Sequence, residues 1–186
     1  QMTEEANLII EKLESEQRHA SIVLYDENWK KGVVGIVASR MTELYYRPTI
    51  VLTRSGDLAT GSARSVAGYD IYHAVKSCRD ILENFGGHTY AVGLSLKIEN
   101  IPEFRRRFQE YVNNHILPEQ TEATLDIEGE VDFKDITKEL QNDLKRFAPH
   151  GPGNSKPLFC TRNVYDYGTS KVVGRHQEHI KLELVD

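Results

Sequence analysis

The sequence is poor in cysteine and has no long hydrophobic run, and both absences exclude classes of protein. Its 186 residues include two cysteines, Cys78 and Cys160, which lie far apart and form no CxxC pair. A disulfide framework or a zinc site is therefore not expected, and a reducing cytoplasm is the predicted compartment. No apolar run approaches the roughly 20 residues of a membrane helix. We therefore expect no membrane association.

The sequence also lacks an excess of positive charge. The formal net charge is −5, which argues against a surface that binds nucleic acid by bulk electrostatics. A nucleic-acid role would need a local basic groove, with the acidic residues on other faces. The charged start of the chain does not resemble a signal peptide. This segment resembles the last part of a secondary-structure element that begins earlier. We therefore interpret the chain as a fragment excised from a longer protein.

Apolar patterns of helical and strand periodicity alternate along the first two thirds of the sequence. They predict an α/β fold with a mixed sheet and flanking helices. Thr3 and Asp70 are predicted helix caps. The predicted helices cover residues 4–17, 32–46, 70–84 and 102–116, and the predicted strands cover 21–25, 49–53, 58–63 and 91–99. The second helix is expected to bury one side made of Val33, Ile36, Val37, Met41 and Leu44.

The pattern changes after about residue 118. Short alternating runs at 125–131, 157–167, 171–175 and 180–185, with a helix at 137–147, predict the start of an OB-like antiparallel β-barrel. We therefore predict three parts. These are a linker helix at 1–18, a substrate-binding domain at 19–118 and the start of an OB-like nucleic-acid-binding domain at 119–186.

Two segments contain polar residues that packing alone does not readily explain. The first, GSARS at residues 61–65, has small residues that let a backbone approach a ligand, and Arg64 could bind a phosphate. An ordinary turn with a surface arginine is the alternative. The second, FGGH at 85–88, has paired glycines that most often cap a helix. His88 could donate to a phosphate or a sugar, although a lone histidine is usually structural.

Other features carry less weight. No metal-ligand spacing or catalytic triad is evident, so we expect no catalytic residue and no cofactor in this chain. Trp29 could stack on a base but is more commonly a core residue, and the arginines at 105–107 are more often a solvated helix face than a DNA clamp. Six basic residues near the end of the chain could follow a nucleic-acid strand or be scattered: Arg162, Lys171, Arg175, His176, His179 and Lys181.

Several of these segments, taken in order, resemble one family. WKKGVVGIVASR at 29–40, the pair Arg47-Pro48, GSARS at 61–65, GYD at 68–70, GGH at 86–88 and AVG at 91–93 are similar to the DHH-associated domain of RecJ exonucleases. APHGPGN at 148–154, followed by PLF at 157–159, resembles the start of the RecJ OB-fold. The chain departs from the family at Lys30, where many relatives have histidine, and at His150, where an aromatic residue is common.

The resemblance implies a function for the parent protein. RecJ enzymes degrade single-stranded DNA from its 5′ end in recombination and repair. A separate DHH domain, acting in cis, holds two divalent metal ions, Mn or Mg, and performs the hydrolysis. This fragment would bind DNA and hydrolyse nothing by itself. By resemblance, the residues that bind substrate phosphates are Ser62, Arg64, Ser65, Gly86, Gly87 and His88.

Two other functions remain open at this point. One is a DHH-family phosphodiesterase that acts on short oligonucleotides or cyclic dinucleotides, although such proteins usually end soon after the Gly-Gly-His turn. The other is an interaction module that docks a partner such as single-strand DNA-binding protein, because OB-like barrels have many ligands. A substitution at Arg64 would separate a phosphate-binding groove from a partner-docking surface.

Overall fold

The chain folds into two compact units, Gln1–Ala123 and Thr124–Asp186. The structure is a computed structural model, and it describes residues 2–16, 19–151 and 153–186, with the side chains of 13–16 left aside. The predicted linker helix and the predicted boundary at residues 118 and 119 stay predictions. Each unit is described by itself below.

The first unit is built on a five-stranded mixed sheet with the strand order β1-β2-β3-β5-β4. The strands are β1 Ile22–Tyr25, β2 Thr49–Ser55, β3 Leu58–Arg64, β4 Leu82–His88 and β5 Ala91–Lys97. The helices are α1 Met2–Glu16, α2 Val34–Tyr45, α3 Ile71–Lys76 and α4 Ile101–His115. Only β1 and β2 pair in parallel; the other neighbours are antiparallel. The predicted mixed sheet with flanking helices is confirmed.

Each face of the sheet has its own hydrophobic core, because alternate residues of a strand point to opposite faces. Ile50 and Leu52 of β2 belong to the core that contains Phe104 and Phe108 of α4. Val51, between them, belongs to the core that contains Trp29 and residues of α1 and α2. The sheet is therefore covered by helices on both sides, with α2 lying over β2 and β3.

The predicted buried side of the second helix is partly wrong. Ile36 is 69% exposed and Leu44 is 55% exposed. The buried stripe is instead Val34, Val37, Ala38 and Met41, a spacing of three, four and seven residues that keeps one narrow side against the sheet. Ile36 and Leu44 lie outside this stripe and face solvent.

The third predicted helix is correct at its start and wrong in its extent. Asp70 caps α3, because its side chain accepts a hydrogen bond from the backbone N–H of His73 at 3.2 Å. The helix ends at Lys76, however, and residues 82–88 form β4 rather than a helix end with a glycine cap. Pairing with β5 on one side takes up part of the backbone hydrogen-bonding groups of this segment, which is the edge strand of the sheet.

The other predicted helices differ from the structure in detail. Thr3 lies inside α1 and is not its cap, and the predicted end of that helix at residue 17 lies outside the described residues. The predicted helix at 102–116 is confirmed as α4. Within the described residues, no helix is both long enough and apolar enough to cross a membrane.

The second unit has short elements. They are α5 Lys138–Lys145 and the strands β6 Gly129–Glu130, β7 Phe159–Cys160, β8 Tyr165–Asp166, β9 Lys171–Val173, β10 His179–Lys181 and β11 Leu184–Val185. The strands pair two by two, and no closed barrel forms within 124–151 and 153–186. The β8–β11 and β9–β10 pairs are antiparallel as predicted, whereas the β6–β7 pair is parallel. Thr137 caps α5 through its hydroxyl, which accepts from Leu140 N–H at 3.1 Å.

Candidate nucleic-acid interface

The guanidinium of Arg64 lies back over its own strand at the end of β3. Its Nη1 atom donates to Ser62 Oγ at 2.5 Å and to the carbonyl oxygen of Ala63 at 2.8 Å. Both side chains are half-buried, and they point to the face opposite Ala63, which is buried in the α4 core. The predicted Ser-Ala-Arg segment is therefore the end of a strand and not a loop, and it presents a fixed cation beside a hydroxyl.

The first turn of α2 lies directly against this cation. A Cβ atom built on Gly35 would be 3.1 Å from Arg64 Nη2 and 3.6 Å from Ser62 Oγ. Glycine at this position therefore allows the close approach of helix and arginine. The first N–H groups of a helix carry partial positive charge. In α2 the N–H of Ile36 donates to the Val33 carbonyl oxygen at 2.9 Å, and Val33 supplies no side-chain cap for the N–H groups that precede Ile36. The arrangement suits an anion.

The Gly-Gly-His segment lies two strands away on β4, across β5. Cross-strand pairing aligns Ser62 with Gly93 and Gly93 with Gly86. Two residues further along, on the same face of the sheet, it aligns Arg64 with Ala91 and Ala91 with His88. Neighbouring strands lie about 4.8 Å apart, so Arg64 and His88 start roughly 10 Å from each other. The structure thus brings both predicted segments to the same end of one sheet.

The structure requires glycine at only one of the two glycine positions of β4. Gly87 has φ +151°, and an added Cβ would lie 2.1 Å from the carbonyl oxygen of Ala91, so no larger residue fits. A Cβ on Gly86 would meet nothing within 4 Å, and one on Gly93 would meet only the Gly86 carbonyl oxygen at 3.9 Å. The backbone of Gly86 and Gly93 is therefore exposed, and packing alone does not require glycine at either position.

His88 and Ser65 are each fixed by the turn that joins β4 to β5. The Nδ1 atom of exposed His88 accepts from Tyr90 N–H at 3.4 Å, which leaves Nε2 as the protonated, outward nitrogen of the neutral ring. Ser65 N–H donates to the Tyr90 carbonyl oxygen at 3.1 Å, and its hydroxyl donates to the Tyr69 carbonyl oxygen at 2.7 Å. The Ser65 hydroxyl proton is thus used inside the protein, and its phosphate contact stays a prediction.

Two weaker candidates do not join this surface. Trp29 is buried, and its Nε1 donates to Glu5 Oε2 at 3.1 Å, so its ring is part of the α2 core and is not a base-stacking platform. Arg106 pairs with Glu103 at 2.8 Å, and Arg107 pairs with Asp80 at 2.8 Å. These pairs neutralise Arg106 and Arg107. Arg105 differs, because its Nε atom is buried without a hydrogen-bond partner, and burial lowers the pKa of its guanidinium.

The basic residues near the end of the chain are partly neutralised as well. Arg162 pairs with Glu130 at 2.5 Å, and Lys181 pairs with Glu183 at 3.1 Å. They belong to the second unit, which is described by itself. Sequence reasoning did not assign Gly35 and Gly93 to the site, although both lie in the motifs that carry the family resemblance.

The described residues contain no group of three or more His, Cys, Asp or Glu side chains placed to hold a metal ion. The divalent metals that the resemblance implies therefore find no fitting set of ligands in the described parts of this chain. No step that uses a metal is derived from these residues. What the surface around Arg64 offers is hydrogen-bond donors, one fixed cation and exposed backbone.

Family models match both parts of the chain. The DHHA1 domain family model matches residues 17–114, and the RecJ OB domain model matches residues 127–186. The chain belongs to the RecJ family. The first match covers the five-stranded sheet with α2, α3 and α4, and the second covers nearly all of the Thr124–Asp186 unit.

Curated relatives extend over nearly the whole chain. The single-stranded-DNA-specific exonuclease RecJ of Bacillus subtilis is 35% identical over 185 residues, which are 98% of this chain and 23% of the relative. The protein of the same name from Salmonella typhimurium is 33% identical, over 97% of this chain and 32% of the relative. The chain spans less than a third of the length of either relative.

A solved structure shows the same fold. RecJ from Thermus thermophilus in complex with Mn²⁺ aligns with a TM-score of 0.71 and 28% identity, covering 98% of this chain and 27% of that one. RecJ from the same organism in complex with Mg²⁺ aligns with the same TM-score and 25% identity, covering 96% of this chain and 28% of that one. The family expected from the sequence is confirmed.

Proposed function

We propose that this chain is the substrate-binding part of a RecJ-type single-stranded-DNA exonuclease and that it holds DNA by its phosphates. The observation that carries the proposal is the Arg64 guanidinium, fixed over Ser62 and against the first turn of α2. The relatives named as single-stranded-DNA-specific exonucleases support the choice of ligand. Composition alone, at a net charge of −5, would not have suggested it.

The geometry suggests a role for each group. Arg64 binds one phosphate by charge-assisted hydrogen bonds, with Ser62 and the α2 N–H groups beside it. The Nε2–H of His88 donates to a neighbouring phosphate or sugar. The bare backbone at Gly86 and Gly87 lets the nucleotide approach closely. Such contacts fix the position of a strand but do not read its sequence, as a general exonuclease requires.

We assign hydrolysis to a DHH domain that lies outside these 186 residues. That domain would belong to the same polypeptide and would hold Mn or Mg. In this scheme the chain positions the DNA strand, while the metal ions of the other domain would activate the attacking water. Positioning of the reacting groups can supply a large part of the reduction in the activation barrier. We expect 5′-to-3′ degradation in recombination and repair, in the cytoplasm, where the free thiols of Cys78 and Cys160 would stay reduced. A docking site for single-strand DNA-binding protein remains the alternative for the second unit.

The phosphate-binding surface is tested by fluorescence anisotropy with a 5′-phosphorylated single-stranded oligonucleotide. We expect Arg64→Ala to weaken binding by about tenfold or more, because a hydrogen bond to a charged group contributes about 1.5–3 kcal/mol. Adding His88→Ala should weaken it further and reduce the salt dependence. Arg54→Ala removes the same charge from the exposed end of β2 and is the matched control.

Three results would contradict the proposal. Equal binding by the wild type and the Arg64 variant would move the DNA surface elsewhere in the chain. Absence of any binding by the wild type would show that these 186 residues do not hold DNA by themselves. Progressive shortening of labelled single-stranded DNA in the presence of manganese would show that the chain has a catalytic centre of its own.

A further inference from the structure

The loop of residues 65–70 joins β3 to α3 and contains the Gly-Tyr-Asp motif, to which the proposed function gives no role. Val66 and Tyr69 are buried in the core that contains Phe104, whereas Ala67 and Gly68 are exposed. The core therefore anchors the two sides of this 65–70 loop and leaves its tip outside.

Both ends of the 65–70 loop are bonded to the two-residue turn that joins β4 to β5. At the start of the loop, Ser65 N–H donates to the Tyr90 carbonyl oxygen at 3.1 Å. Just after its end, Ile71 N–H donates to the Thr89 carbonyl oxygen, also at 3.1 Å. The loop and the turn therefore form one hydrogen-bonded unit.

This unit includes the neighbours of two candidate phosphate-binding residues. Ser65 directly follows Arg64, and Tyr90 N–H donates to Nδ1 of His88 at 3.4 Å. The Ser65 hydroxyl also donates to the Tyr69 carbonyl oxygen at 2.7 Å, which closes the loop on itself. A change in the conformation of the loop would therefore be transmitted toward both candidates.

Gln120 binds the exposed tip of the 65–70 loop. Its Nε2 atom donates to the Gly68 carbonyl oxygen at 2.6 Å, across 52 positions of sequence. Gly68 has φ +76°, and a Cβ atom added there would lie 3.3 Å from Gln120 Nε2. Glycine therefore permits both the left-handed bend of the tip and the close approach of the amide.

The side chain of Gln120 is oriented by its own turn. Its Oε1 atom accepts from Leu117 N–H at 2.9 Å, and its backbone N–H donates to the Leu117 carbonyl oxygen at 2.9 Å. A backbone N–H can only donate and a carbonyl oxygen can only accept, so the two partners determine which end of the amide is the oxygen. The Nε2 donor is thus directed at Gly68 by a contact that does not involve the loop.

Stability of the short turn explains only half of these contacts. A glutamine that merely closes the 3₁₀ turn Pro118–Gln120 needs its Oε1 atom and no more. The Nε2 bond leaves that turn and reaches a distant loop. Among the described residues, Gln120 makes the only side-chain hydrogen bond to the segment 66–68. The tip of the loop therefore depends on this residue for its tertiary hydrogen bonding.

We propose that Gln120 is a positioning residue for the phosphate-binding surface. By holding Gly68 it keeps the 65–70 loop in one conformation, and the contacts of Ser65 and Tyr90 carry that order to Arg64 and His88. Without the bond the tip samples other conformations, and the apparent DNA affinity falls with the fraction of molecules that stay competent to bind. This inference rests on the proposed function and adds to it a residue that contacts no phosphate.

The test replaces Gln120 by glutamate in the whole 186-residue chain. The carboxylate of Gln120→Glu can still accept from Leu117 N–H but cannot donate to the Gly68 carbonyl oxygen, which it repels. We expect the 5′-phosphorylated single-stranded oligonucleotide to bind about threefold to tenfold more weakly, the factor that one neutral hydrogen bond represents. Gln109→Glu adds the same charge at another half-buried glutamine of the first unit, on α4, and should stay within about twofold of the wild type.

Two further measurements separate positioning from a general loss of structure. In a nitrogen–proton correlation spectrum, the amide signals of Ser65 and Tyr90 should shift in Gln120→Glu and stay in place in Gln109→Glu. In a double-mutant cycle with Arg64→Ala, the combined loss of affinity should be smaller than the product of the two single losses. Unshifted signals, or losses that multiply, would show that Gln120 does not act through this loop and would overturn the proposal.

The outcomes also separate this inference from the proposed function. If Arg64→Ala weakens binding and Gln120→Glu does not, the inference fails and the proposed function stands. Equal losses in Gln120→Glu and Gln109→Glu would report charge alone and would have the same meaning. If Arg64→Ala leaves binding unchanged, the proposed function fails and takes this inference with it.

Discussion

The two units of the chain both contain alternating apolar runs, but they have very different interiors. In Gln1–Ala123, β2 to β5 each have seven residues, and side chains such as Leu52 and Phe104 are fully buried. In the described residues of Thr124–Asp186 no side chain is buried, and strands have two or three residues. Leu125 there is 77% exposed and Ile180 is 69% exposed.

The difference shows what an alternating pattern needs in order to become a core. A strand buries its apolar side only when a second layer covers that side. In the first unit, helices cover both faces of a five-stranded sheet. In the second unit the strands pair two by two, and such short pairs contribute little stability by themselves. We therefore expect the two units to differ in stability, chemical protection and tolerance of substitution.

The largest expected effect is in thiol reactivity, because each unit contains one free cysteine. Cys78 is fully buried, and burial also raises the pKa of its thiol, whereas Cys160 is only half-buried. We expect Cys78 to react with a disulfide reagent on the order of a thousandfold more slowly, because its core must open first. Kinetics of the Cys78→Ser and Cys160→Ser variants measure each rate separately. Similar rates for both thiols would remove the contrast between the units.

Next in size is the effect of removing a phenylalanine. Phe104→Ala empties a position between α4 and the sheet and should lower the free energy of unfolding by about 3–5 kcal/mol. Phe147→Ala removes a ring that is 61% exposed and should change it by less than about 0.5 kcal/mol. Urea unfolding followed by Trp29 fluorescence reports the first unit, because Trp29 is the one tryptophan, and circular dichroism reports both. Equal costs would mean that the second unit has a core.

The smallest effect concerns acid. Hydrogen bonds from Arg107 hold the pKa of Asp80 below its ordinary value. The pair therefore stabilises the fold at pH values above the ordinary pKa of Asp80, and this contribution is lost as the pH falls through the lowered pKa. Arg107→Ala should therefore raise the pKa of Asp80 and slightly reduce stability near neutral pH. The difference should become smaller in strong acid but not vanish, because Arg107 also donates to the Ser77 carbonyl oxygen at 3.0 Å.

In the second unit, the N–H of Gly168 and the hydroxyl of Ser170 lower the pKa of Asp166. That carboxyl should titrate identically in the Arg107→Ala variant. Carboxyl carbon shifts in an NMR titration measure both groups. An unchanged Asp80 midpoint in the variant would show that Arg107 is not the cause of its shift.

Sequence reasoning predicted the parts of the fold that local periodicity determines. The hairpin at Gly56, the strand at Ala91–Lys97 and the Asp70 cap follow from turn residues, alternation and capping chemistry. Residues 82–88 were predicted as the end of a helix, because apolar residues at 81 and 82 continue a helical pattern. The pairing of this segment with β5 cannot be recognised from the few residues around it. The exposure of Ile36 likewise depends on which side of α2 meets the sheet.

The residues of the candidate site were proposed from the sequence, whereas their arrangement in the sheet was not. Arg64 and His88 were identified from the family resemblance, and nothing in their spacing of 24 positions indicates that they share a row of the sheet. The role of Gly35 depends on the packing of a helix against a side chain from a distant strand.

The antiparallel pairing of β3 with β5 has a consequence for the order of folding. Its partners lie 27 to 39 residues apart in sequence, whereas the β2–β3 and β4–β5 pairs close through short turns. Pairing between distant segments is slow, because the chain loses loop entropy before it gains contacts. We expect the two hairpins to form before the seam between them closes. Since that seam brings Arg64 and His88 into one row of the sheet, a newly made chain would become able to bind its ligand only after the seam has closed.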